Sequence, residues 1–86
     1  MRVELEDWKN GSSGLHIGVS KAELPRLIEL LQILHADPEQ HFHISSDNQA
    51  AGGIGDIEIY VKAPEEKDNM RLSSRAKGAG EESGTW

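Results

Sequence analysis

One stretch of this chain, LPRLIELLQILHA at residues 24–36, has the period of a helix, and it stands between two pairs of short alternating runs. Leu24, Leu27, Ile28, Leu31 and Leu34 recur at helical spacing, and Leu30 and Ile33 widen the apolar stripe. SKAE at residues 20–23 has the form of a capping box, in which Ser20 and Glu23 satisfy each other's backbone amides. Pro25 disfavours helical geometry at Leu24, so either the helix kinks in its first turn or its regular part starts at Pro25. His35 suits the negative C-terminal end, and Asp37-Pro38 stops the helix.

The flanking runs alternate with period two. In RVELEDW, Val3 and Leu5 point one way and Glu4 and Glu6 the other; in LHIGV, Leu15, Ile17 and Val19 oppose His16 and Gly18. KNGSSG between them is dense in turn formers, so the two runs make a hairpin, and Asn10-Gly11-Ser12 reads as a turn. HFHIS places Phe42 and Ile44 opposite His41, His43 and Ser45, and IEIYVK places Ile57, Ile59 and Val61 opposite Glu58, Tyr60 and Lys62. SDNQAAGGIGD between them reads as a loop. The expected fold is therefore α+β, a ββαββ domain over residues 1–62. One helix packs on one face of a four-stranded, mainly antiparallel sheet. From Ala63 the periodicity ends, and scattered charge with few apolar residues predicts a disordered tail over 63–86.

Composition narrows the function. Eighty-six residues fit one domain, and a ββαββ unit of about sixty residues rarely gains more than roughly 3–5 kcal/mol from its core alone, so burial against a partner or a second copy has stabilising value. Nine Lys plus Arg against fifteen Asp plus Glu give a net charge of −6, which repels phosphate backbones and argues against nucleic acid while suiting a basic protein partner. With no cysteine, thiolate chemistry and disulfides are excluded and any metal falls to His and carboxylates. The start of the chain, MRVELEDWKN, has no apolar h-region and no run approaches a membrane span, which predicts a cytoplasmic protein that does not engage a membrane.

If the helix covers one face of the sheet, the other collects Glu4, Glu6, His16, His41, His43, Ser45, Glu58 and Tyr60. His41 and His43, two apart on a strand, can reach one ion, with His16 or a Glu completing the set. A wet sheet face with imidazoles near carboxylates accounts for the same residues, and no metal or other cofactor is assigned. No catalytic residue is assigned either. A cupin, to which HFHISSD bears some similarity, needs a longer chain and a second His-bearing motif. Ser45 or Ser46 would need a base and an orienting group that local spacing does not supply, and GGIGD leads into a strand rather than a helix N-terminus. Trp8 reads as a core-edge residue and Trp86 as the end of an inert tail, with a hook for a partner as its alternative.

The hairpin, the SKAEL…LIELL helix, HFHIS, a loop and a final apolar strand resemble a group of short bacterial proteins, some of them assigned as immunity proteins of polymorphic toxin systems. The resemblance covers about residues 2–62. It implies a small cytoplasmic protein that binds and blocks a cognate toxin, and it carries over no catalytic or binding residue. The expectation is a non-enzymatic protein-binding domain whose partner meets Glu4, His16, His41, His43, Glu58 and Tyr60. Alternatives are a small His-rich metal-binding protein and a homodimeric accessory subunit.

Overall fold

A computed structural model of the chain describes residues 1–46, 54–73, 76 and 78. The element order is β1 (Arg2–Asp7), β2 (Ser13–Gly18), α1 (Leu24–Ala36), β3 (His41–Ser45) and β4 (Asp56–Tyr60). The segment 47–53 that reads as a loop, and much of the chain beyond Ser73, lie outside the described residues.

Each local element follows from its sequence. β1 and β2 pair antiparallel with Val3 opposite Ile17 and Leu5 opposite Leu15, so alternation puts the apolar residues of both strands on one face. Their connection bends at Lys9 (φ 58°) and Gly11 (φ 91°), both in the left-handed region. Asp7 and Asn10 accept backbone N–H bonds from Lys9 and Ser12 at 2.8 and 3.0 Å, side-chain devices that hold such turns. β3 and β4 pair antiparallel with Phe42 opposite Ile59 and Ile44 opposite Ile57.

The capping box forms, one turn ahead of the helix. The Glu23 amide donates to Ser20 Oγ at 3.2 Å, and the Ser20 amide donates to Glu23 Oε1 at 3.3 Å. Together they close the turn that feeds Leu24 into α1, which starts at Leu24 with Pro25 in its first turn. There the missing N–H of proline costs no helical bond. Asp37 ends the helix in extended geometry, its N–H still bonded to the Ile33 carbonyl at 2.9 Å, and its carboxylate accepts from the Glu39 amide.

The expected four-stranded sheet is overturned. β1–β2 and β3–β4 are two separate two-stranded sheets, and β1 does not pair with β3. Widths give a physical reason. A helix is about 10–12 Å across, and two strands at about 4.8 Å spacing present a face of similar width. Four strands present roughly twice that. Burial is concentrated on α1 and the second hairpin. Leu34 of α1 and Phe42 of β3 are the deepest described side chains, 6% and 9% exposed. Leu27, Leu30, Ile44, Ile57 and Ile59 are half-buried around them. On the first hairpin Leu5, Leu15 and Ile17 stay largely exposed, Leu5 at 57%. The mixed α+β character stands; the single sheet does not.

This division makes a measurable difference between two leucines. Leu34→Ala, at the buried helix position, is expected to cost about 2–5 kcal/mol. Leu5→Ala, on the uncovered hairpin, is expected to cost less than about 1 kcal/mol at concentrations where the chain is monomeric. Urea unfolding of both variants checks this, and equal losses would mean that the first hairpin is covered after all.

Candidate functional site

The second hairpin gathers the larger share of the residues singled out by sequence. On its outward face His41 is opposite Tyr60, His43 opposite Glu58, and Ser45 opposite Asp56. The imidazoles of His41 and His43 meet edge to face with centroids 5.0 Å apart. His43 Nδ1 donates to Asp56 Oδ2 at 2.9 Å, and Ser45 Oγ donates to Asp56 Oδ1 at 2.5 Å. The Ser45 hydroxyl, and after it His43, holds the Asp56 carboxyl below the usual carboxylate range. Tyr60, 51% exposed, donates its hydroxyl to Glu66 at 2.9 Å, and that carboxylate pushes the phenol above its ordinary value.

Glu4 and His16 do not join this face. They are register partners on the first hairpin, the other sheet, so the shared surface of three imidazoles and three carboxylates divides in two. The first hairpin has its own cluster, with Glu6 at its centre. His16 Nε2 lies 3.0 Å from Glu6 Oε1, and Trp8 Nε1 donates to the same oxygen at 3.2 Å. The His16 contact, then Trp8, lowers the Glu6 pKa. Trp8 is not tucked into a core edge: 54% exposed, it lies over Gly14, where a Cβ would stand 2.8 Å from the indole ring. Trp86 lies outside the described residues.

Asp56 and Glu6 were not singled out as a pair of hubs by sequence reasoning, although a signal existed. Each is the strand residue diagonal or opposite to an alternating polar residue once the register is known, and the register needs only the turn. Sequence also gives no sign of a cleft of about 580 Å³ between the hairpins, lined by Met1 and Val3 of the first, by Leu27 and Leu30 of the helix, and by Phe42 and Ile44 of β3.

The chemistry available on the second face is limited by how its hydrogen bonds run. Ser45 donates its hydroxyl hydrogen to the Asp56 carboxylate rather than to an imidazole. His41 and His43 have no third ligand: the described residues hold no group of three or more His, Cys, Asp or Glu side chains able to share an ion. No helix of the described residues is long and apolar enough to cross a membrane. Compared with family models, curated proteins and solved structures, the chain matches none.

The lowered carboxylates set an acid limb to stability. Glu6 and Asp56 are lowered by their partners, and Glu23 is lowered to about 2 by the Met1 amine and Ser20. A carboxyl whose folded pKa is depressed adds stability above its unfolded value, near 4, and loses it as pH falls through the folded one. Urea midpoints are therefore expected to hold steady from pH 7 to about 5 and to fall between about pH 4.5 and 2. Glu6→Gln and Asp56→Asn should each flatten part of that fall, and an unchanged acid limb in both variants would remove these pairs from the explanation.

Proposed function

We propose that this chain is a non-enzymatic protein-binding domain that docks its partner on the outward face of the second hairpin, and that the partner is a bacterial toxin it neutralises in the cytoplasm. The observation that carries the reading is the convergence of His41, His43, Glu58 and the half-exposed Tyr60 on the outward face of one strand pair, with Asp56 and Glu66 beside them. Tyrosine flanked by fixed hydrogen bonds is a common anchor at the centre of interfaces. Three carboxylates around it favour a basic partner and speed its approach. The charge of −6 over the whole chain acts in the same direction. The resemblance to immunity proteins supplies the toxin.

Affinity capture from the native host, followed by titration with the purified captured protein, tests the reading. A basic partner is expected to bind one to one and to protect cells when the two are co-expressed. Tyr60→Ala and Glu58→Lys are each expected to weaken binding at least about tenfold, or about 1.4 kcal/mol, with circular dichroism unchanged. A partner indifferent to both variants and to His41→Ala would move the interface elsewhere. A partner whose own activity continues in the complex would end the neutralising role.

A further inference from the structure

The first hairpin lacks what a two-stranded ribbon needs. Such a ribbon is marginal in water unless a third strand joins it or something packs on its apolar face. Among the described residues neither is present: β1–β2 forms a sheet by itself, and Leu5, Leu15 and Ile17 are 57%, 47% and 43% exposed. Its two outer edges differ in kind. β1 carries Arg2, Glu4, Glu6 and Asp7, the sort of charge that keeps an edge from pairing. β2, SGLHIG, carries no Lys, Arg, Asp, Glu or Pro, and its one ionisable side chain, His16, already has Glu6 as a partner. Among the described residues, the backbone of Ser13–Gly18 has no hydrogen bonds outside the ladder with β1.

We infer that the open edge of β2 pairs antiparallel with β2 of a second copy of this chain, about a two-fold axis at His16, to give a continuous sheet in the order β1-β2-β2-β1. The occupant is a second copy because the strand is complementary to itself. With the axis at His16, Leu15 faces Ile17 of the partner and Ile17 faces its Leu15, while Gly14 faces Gly18. A slip by one residue would set Leu15 against His16 and mix the two faces. A slip by two would set Ile17 against Ser13 or leave Leu15 without a partner in the strand, so the axis at His16 is the one that matches both apolar residues. The charged β1 strands become the outermost edges, which halts growth at two copies. This pairing uses the hairpin opposite to the proposed toxin-binding face and stands independently of it. A six-residue edge buries less than the about 800 Å² per partner of a standard interface, so the dimer is a reversible one.

The chain has no cysteine, which allows a clean test on the full-length protein. Directly opposed residues of antiparallel strands have Cα atoms about 4.5–5.5 Å apart, within the span of a disulfide. Under mild oxidation His16→Cys is expected to link into a covalent dimer at least about tenfold faster than Lys21→Cys, a surface control. Sedimentation equilibrium of the unmodified chain should move from 9.5 kDa towards twice that mass as concentration rises to about 100 µM. Ile17→Lys should hold it at the lower mass. A monomer at every concentration, equal linking rates for the two cysteine variants, or an undiminished dimer in a folded Ile17→Lys would each overturn the inference. If Ile17→Lys fails to fold, the linking rates decide alone.

Discussion

A single helix thirteen residues long has the apolar faces of two hairpins to shelter, and it is wide enough for one. Most of the architecture follows from that mismatch. Leu34 and Phe42 form a compact centre where α1 meets the second hairpin, and the first hairpin keeps its leucines in water. The four strands stand as two separate pairs, β1–β2 and β3–β4.

The two hairpins answer the same problem with the same local chemistry. On the outward face of each, one carboxylate bridges an imidazole and a second donor: Glu6 joins His16 and Trp8, and Asp56 joins His43 and Ser45. These are exposed contacts, weak one at a time. Their consequence is directional, because each pins side chains across the strand pair and fixes what the face presents to a visitor. The hairpins differ in their inward faces, one packed and one bare, and that difference sorts their roles. The proposed partner site lies on the packed hairpin, and the proposed self-pairing edge on the bare one.

Local features were legible in the sequence and distant ones were not. Alternation located β1 through β4 and put Phe42, Ile44, Ile57 and Ile59 inward, because a strand's period acts over a few residues. Ser20 and Glu23 announced the helix start, and Asp37-Pro38 its end, through bonds that close within one turn. The joining of the two hairpins into one sheet is different in kind. It would close a loop of some forty residues around the helix and depends on whether enough apolar surface is covered in return, a sum no motif displays. For the same reason the candidate surface was misread as one. His41, His43, Glu58 and Tyr60 share a face because one hairpin register places them there, whereas uniting them with Glu4 and His16 required the sheet to be continuous.

The turn beyond β4 has a bearing on how the chain can be handled. Glu66 takes the Tyr60 hydroxyl on one carboxylate oxygen and the Ala63 amide on the other, its own amide bonds the Ala63 carbonyl, and its carbonyl accepts from Lys62 Nζ. Four bonds meet on one residue. A chain cut after Tyr60 would keep every strand yet release the phenol to swing, whereas one cut after Asp68 would leave it clamped. Shortened forms of this domain, fusion junctions and attached labels therefore divide at Glu66, and their behaviour towards a partner would differ even when their folded cores are the same.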